Sequence, residues 1–435
     1  MPQAGAPNAR TLRVGVEAGA SDARTLRLGV EVVVRDRRVS RALLTALVFP
    51  LAWLPSAAAA RDLRGHVEVR SVQYPNLDLV EGRMRILARY ERGFGKWQIV
   101  ASACGDGLIG TGDRVTDGIV RPLDTFLEYR GSKAEVRVGV SSVAWGVLDE
   151  LSPQDVVSPV DVARFILDGR AEARLPVPLA RVRLFLPASL TLEGLLVPFA
   201  RRGWYDQLDE THSPFAPPGF DTFPRSESEL SADLMEGGVR FRGTGSGLDW
   251  GVSAYRDIVD FDHYEFTPAG FIAQRPARWM AGADLEAALG NWVVRFDGAA
   301  YLDDPLQQAG AVPTVVQRDT YRAGVGVDRR VGDNSLYFNA LYNYIPDDVP
   351  LDQRSEVSVF GGFTRDYAQA TGSVRIFGLW NAESESGFTR LVWDQELVEN
   401  LRLDVSGGLF WGDGGSAFRS FDDADFVTAR VRLYF

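Results

Sequence analysis

Arginines recur two residues apart at Arg83 and Arg85, Arg181 and Arg183, Arg240 and Arg242, and Arg430 and Arg432. In an extended strand residues i and i+2 share a face, so each pair sets two guanidiniums side by side. A guanidinium is a planar fork that holds carboxylate or phosphate oxygens through charge-assisted hydrogen bonds. Arg64, Arg70, Arg89 and Arg137 fall on the same polar phase of their own alternating runs. Acids share that phase, among them Glu68, Glu135, Glu236, Asp249, Asp284, Glu286, Asp297, Asp328 and Asp404. Two readings stand. Either the arginines make an anion-preferring wall, with the cluster on the first two runs as its best candidate because few acids lie beside it in sequence. Or arginine and acid neutralise each other in a lattice that holds a wide structure open.

Other chemistries find little support. A hydrolase would need a nucleophilic Ser within reach of a His, and the chain has only His66, His212 and His263, none with a G-x-S-x-G partner. The single cysteine, Cys104, excludes a disulfide framework and any Cys-based zinc site. Asp257, Asp260 and Asp262 are spaced for a Ca²⁺ loop, but a solvated acidic surface explains them as well. No enzyme activity, cofactor or metal is expected. The formal charge is −11, and removing the basic amino terminus makes it more acidic, which argues against nucleic acid as a partner.

The elements that carry the arginines follow one pattern. Runs of about ten residues alternate apolar and polar, as strands of a transmembrane barrel must. Leu63, Gly65, Val67 and Val69 alternate with Arg64, His66, Glu68 and Arg70. Met84, Ile86 and Ala88 alternate with Arg83, Arg85 and Arg89, and Ala180, Val182 and Leu184 with Arg181 and Arg183. Gly/Asn turns sit at 131–132, 243–247, 289–291, 332–334 and 398–400, where tight hairpins need positive φ. Longer segments are expected at 105–121, 144–177, 200–230, 259–275, 302–317, 345–353 and 412–423. Trp97, Trp250 and Trp292 start strands at the short-turn side, whereas Trp279, Tyr321, Trp380 and Trp411 fall at the other. Two aromatic girdles mark two membrane interfaces. The expected fold is all-β: a transmembrane antiparallel β-barrel of 18 strands, or alternatively 16, with short periplasmic turns and long extracellular loops. The weakest strand is the one from Arg354 to Phe363. A barrel of that size encloses an aqueous lumen.

The last strand reads A-D-F-V-T-A-R-V-R-L-Y-F and ends the sequence on Phe435. This resembles the closing strand of Gram-negative outer-membrane barrels, in which the terminal aromatic and the alternating residues before it are the assembly signal. The resemblance assigns that signal to Val431, Leu433 and Phe435. It implies outer-membrane lipid, lipopolysaccharide and the barrel assembly machinery as partners, beside a small-molecule solute.

At the amino terminus, Ala9–Glu17 is repeated as Ala23–Glu31. A basic stretch (Arg35, Arg37, Arg38, Arg41), an apolar run from Ala42 to Leu54 and the small-residue end at Ala60 are the three parts of a secretory signal peptide. Cleavage is expected after Ala60. Residues 1–38 then read as an upstream extension, 39–60 as the signal and 61–435 as the barrel, with Val39 the start if its codon is GTG.

One loop has its own signature. Ser158 as N-cap, Pro159 at the first helical position and Asp161 as an acid in the first turn make a helix start, and Val160, Val162, Ala163, Phe165, Ile166 and Leu167 follow before Gly169. The segment is too apolar to stand free in water. It folds inward and narrows a pore, bringing Asp155, Asp161, Arg164, Phe165 and Asp168 to a constriction, or it lies across the mouth as a lid. The two S-P-x-D motifs (Ser152–Asp155, Ser158–Asp161), R-L-P-V-P (Arg174–Pro178) and L-T-L-E-G-L-L-V-P-F (Leu190–Phe199) resemble a family of uncharacterised proteobacterial outer-membrane barrel proteins of porin-like type. That family is known only as a domain of unknown function. The hairpin at Val398–Phe410 carries the resemblance again. It implies a barrel and assigns no ligand residue. The expected function is passive or weakly selective passage of small solutes, anionic or hydrophobic. A structural, export or lipid-enzyme barrel is the alternative.

Overall fold

The alternating runs form strands throughout the computed structural model, which describes residues 62–435 apart from 218–233, 269, 309–311, 347–350, 352–353 and 413–416. The expected extension at 1–38 and signal peptide at 39–60 lie outside the described residues. In chain order the strands are β1 (Leu63–Tyr74), β2 (Leu79–Phe94), β3 (Trp97–Gly110), β4 (Asp117–Pro122 and Thr125–Arg130), β5 (Ala134–Ser141) and β6 (Val177–Leu186). Then come β7 (Leu190–Val197), β8 (Glu236–Thr244), β9 (Leu248–Ile258), β10 (Ala277–Leu289), β11 (Trp292–Gln308) and β12 (Thr314–Val331). The last six are β13 (Asn334–Tyr344), β14 (Glu356–Tyr367), β15 (Gly372–Asn381), β16 (Ser386–Val398), β17 (Leu401–Trp411) and β18 (Phe426–Tyr434). The two pieces of β4 both pair with β3 and count as one strand interrupted at Leu123–Asp124.

Every strand is antiparallel to its sequence neighbour, and β1 pairs with β18, closing an 18-stranded barrel. Closure leaves no strand edge unpaired, which a sheet in lipid requires. Register then fixes faces. Arg70 stands opposite Arg83 on one side and Arg430 on the other, and Glu68 stands between Arg85 and Arg432. Their outward neighbours are apolar: Val69 meets Met84 and Val431, and Val67 meets Ile86 and Leu433. The aromatics Trp97, Trp292, Trp279, Tyr321, Trp380 and Trp411 are exposed on that outer face.

Three segments expected as long loops are mostly strand, one of them (259–275) as a separate hairpin, His263–Thr267 with Gly270–Gln274, outside the barrel sheet. β3 runs to Gly110 and β4 begins at Asp117. Gly105 and Gly107 occupy outward positions there, so the apolar half of the alternation is absent from the sequence although the inward half (Cys104, Asp106, Leu108) persists. β11 and β12 likewise extend to Gln308 and from Thr314. A register shift between Tyr301 and Asp304, with Asp303 at φ 56°, breaks the period of two and admits Pro305.

Apolar packing inside the barrel is made by loops on walls. Trp145, Val156 and Val157 pack with Tyr255, Met280 and Tyr301. Ala163, Ile166 and Leu167 pack with Phe388, Phe410 and Phe426.

The chain end closes the seam. The Phe435 backbone N–H donates to Gly65 O and the Gly65 N–H to Phe435 O, both at 3.0 Å. Its ring lies where a Cβ on Gly65 would meet Cζ at 2.6 Å, so only glycine leaves room for it. Deleting Phe435 is expected to cut the folded, heat-modifiable band in outer-membrane fractions several-fold. An undiminished band at native expression would contradict the assembly role of the terminal aromatic.

Candidate functional site

The loop between β5 and β6 crosses the barrel interior. Its first half is bound to the wall of β9–β11. Asp297 on β11 accepts from Ser152 Oγ (2.5 Å), Gln154 Nε2 (2.5 Å) and the Val147 backbone N–H (3.0 Å). Ser253 on β9 donates to Gln154 Oε1 at 2.6 Å, and the Tyr301 hydroxyl donates to Pro153 O. Gly282 on β10 makes room for this anchor, because a Cβ there would lie 2.5 Å from Gln154 Oε1.

The second half carries helix α1 (Val162–Asp168) to the wall formed by β16–β18 and β1–β3. The cap differs from the expected one. Asp161, not Ser158, is the N-cap, and its carboxylate accepts from the Arg164 N–H at 3.0 Å. Ser158 Oγ instead accepts from Val143 N–H at 2.8 Å, tying the loop to itself. Gly169, at φ 95°, ends the helix as expected. Arg164 donates to Asp106 on β3 at 2.7 Å. Asp168 bonds both Arg70 on β1 and Arg430 on β18, the latter at 2.9 Å. Arg390 on β16 donates to Ile166 O at 3.1 Å. Phe165 packs, partly buried, with the apolar cluster there. Asp155 braces the middle by taking Arg170 and Arg174, each at 2.7 Å.

Four strands (β12–β15) separate the two anchoring walls on one side and five (β4–β8) on the other, which places them on opposite sides of the lumen. A second loop, described over 198–217, joins the first: the Val162 N–H donates to Trp204 O at 2.8 Å and the Ala163 N–H to Tyr205 O at 3.0 Å. Its Asp206 accepts from Arg83 and Arg114, both at 2.5 Å.

The expected wall arginines are therefore heavily paired. Arg70 also meets Glu68 (3.1 Å), Arg83 meets Glu81 (2.8 Å), and Arg85 meets Asp106 (2.7 Å). Arg430 meets Asp404 at 3.3 Å and Arg432 meets Glu68 at 2.7 Å. Arg137 holds Glu128 at 2.5 Å, Arg181 holds Glu135 at 3.2 Å, and Arg183 holds Glu193 at 2.6 Å. Arg64 and Arg89 face each other in register near the short-turn rim, where Arg89 meets Glu91 at 3.3 Å. The expectation that few acids accompany the cluster on β1 and β2 is overturned. Glu68 and Glu81 lie on β1 and β2 themselves, Asp106 comes from the next strand, and Asp168 and Asp206 come from inward loops distant in sequence.

The electrostatics follow from that pairing. Burial alone would raise the Asp168 carboxyl, but Arg70, Arg430 and Arg85 outweigh it and hold the group well below the usual carboxylate range. Asp206 is lowered in the same way: Arg83 and Arg114 overcome its burial. Arg390 and Asp106 also hold the crossing loop and were not among the expected site residues, although both sit at the inward phase of alternating strands. Asp206 and Arg114 lie in loops with no period to reveal them.

No protein-family model and no curated protein matches the chain. Solved structures share its fold. OccK2 (OpdF) of Pseudomonas aeruginosa aligns at a TM-score of 0.51 with 10% identity, covering 86% of this chain and 97% of that one. The same protein in complex with glucuronate aligns at 0.50 with 12% identity, with coverages of 86% and 97%. OccAB1 of Acinetobacter baumannii aligns at 0.50 with 10% identity, with coverages of 86% and 95%. The barrel that the sequence resemblance implies agrees with this architecture.

Proposed function

We propose that the protein is an outer-membrane diffusion channel for small solutes bearing a carboxylate or similar anionic group. One observation carries the reading: a loop pinned to two opposite walls narrows the lumen of a closed 18-stranded barrel. A lid would leave α1 above the rim, whereas its partners Arg70, Asp106, Arg390 and Arg430 are all on inward faces of strands. Hydrogen bonds on one wall and ion pairs on the other hold the constriction in shape, and wall arginines with donors left over supply the anion preference. The exposed apolar belt contacts outer-membrane lipid and lipopolysaccharide, and the closing strand is the part offered to the barrel assembly machinery.

Liposome swelling tests the solute class. The complex of OccK2 (OpdF), a protein of similar fold, with glucuronate is a reason to include sugar acids among the probes. Glucuronate and gluconate are expected to enter proteoliposomes faster than glucose of similar size. Equal rates would contradict the anion preference, and no swelling with any of the three would contradict the channel.

A further inference from the structure

Two pairs of arginines face one another across β7. Arg181 and Arg183 lie on β6, Arg240 and Arg242 on β8, and Glu193 stands between them, in register with Arg183 and Arg240. With residues 142–145 of the crossing loop they enclose a cavity of about 200 Å³. Both oxygens of Glu193 are taken: Oε1 accepts from Trp145 Nε1 at 2.9 Å and Oε2 from Arg183 Nε at 2.6 Å. Arg181 bonds Glu135 and Arg240 bonds Asp284 at 2.8 Å, each through Nη2. Their Nε groups are buried with no partner, although the two residues are only 6% and 5% exposed. Arg242, itself exposed, lines the same cavity and has no hydrogen bond or ion pair among the described residues, so its guanidinium is open to an incoming group, while the two Nε groups are the buried ones. Buried donors without acceptors cost free energy and persist where something else satisfies them.

We propose that this cavity is a discrete oxyanion site, taking one carboxylate or phosphate group on the Nε donors of Arg181 and Arg240 and the guanidinium of Arg242. The site lies on a different wall from the arginines that pin α1. The four arginines meet three acids, Glu193, Glu135 and Asp284, and an anion there balances the charge left on Arg242. A cavity of this size admits a single compact anionic group, so the remainder of a larger solute projects into the lumen. The inference deepens the channel reading and rests on it for its biological use, but binding is measurable without conduction.

Isothermal titration calorimetry of the detergent-purified protein at low salt, where screening is weakest, tests it with inorganic phosphate and with acetate. Saturable binding of either probe is expected, and which one binds identifies the source of the oxyanion. Arg242→Gln is expected to weaken binding tenfold or more, and Arg242→Lys to recover part of the loss. Ala144→Phe, which fills the cavity without removing a charge, is expected to abolish binding, and heat modifiability confirms that each variant is folded. Absence of saturable binding in the parent protein, or affinities unchanged in both Arg242→Gln and Ala144→Phe, overturns the site. If the same preparation conducts, the channel reading survives that failure; if it binds but does not conduct, only the channel reading falls.

Discussion

Deletion of residues 152–169 is expected to raise single-channel conductance several-fold while the barrel still assembles. The excised segment contains both wall anchors, Ser152 and Gln154 on Asp297 and Asp168 on Arg70 and Arg430. The remaining ends are already together: the Arg170 backbone N–H and Nη1 donate to Glu150, at 3.3 and 3.0 Å. The shortened loop therefore closes without pulling on β5 or β6. What is lost is a crossing chain and the burial of Ile166 and Leu167, each worth about 1.5–3 kcal/mol when fully buried. Those side chains hold the loop to the wall and contribute nothing to strand pairing. Anion selectivity is expected to fall at the same time, because wall charges more than about 8–10 Å from a passing ion are screened. Conductance and selectivity both unchanged would place the loop outside the conduction path.

The second large effect belongs to Asp168. Its side chain is 4% exposed and is the shared acceptor of Arg70 and Arg430. Removing one partner of a buried ion pair costs roughly 3–5 kcal/mol, since the other charge stays buried. The barrel is protected from that cost: Arg70 keeps Glu68 and Arg430 keeps Asp404. The loss falls on the loop, so Asp168→Asn is expected to give fluctuating conductance levels above the parental one at pH 7. Acid acts in the same direction only at much lower pH. The folded-state pKa of Asp168 lies below its ordinary value, so its contribution is complete above the unfolded pKa and is lost as pH falls through the folded one. The parent protein is thus expected to hold a single level from pH 7 to about 5. Parental behaviour in Asp168→Asn would show that α1 is held by its apolar face alone.

Period-two alternation made the barrel legible. It placed Arg70, Arg83, Arg85, Arg430 and Arg432 on one face without any knowledge of which strands pair, because face depends on phase alone. It lost the rim where Gly105, Gly107 and Pro305 interrupt the pattern. α1 was legible from its apolar residues and from Gly169. Its cap was misplaced by one turn, because Ser158 and Asp161 are both good caps and the choice depends on where the loop meets Val143. The loop-borne partners of the arginines were not legible. Asp168 and Asp206 reach Arg70 and Arg83 only after loop docking, and no local pattern encodes contacts separated by about a hundred residues, whereas Asp106 is the in-register hairpin neighbour of Arg85 and was hidden by the glycines on either side of it.

The most direct test is single-channel recording of the purified protein in planar bilayers under a KCl gradient. A lumen crossed by a pinned loop and lined by arginine donors predicts small, discrete current steps and a reversal potential displaced toward chloride selectivity. Absence of steps in a heat-modifiable, folded preparation, or a reversal potential displaced toward potassium, would contradict the account.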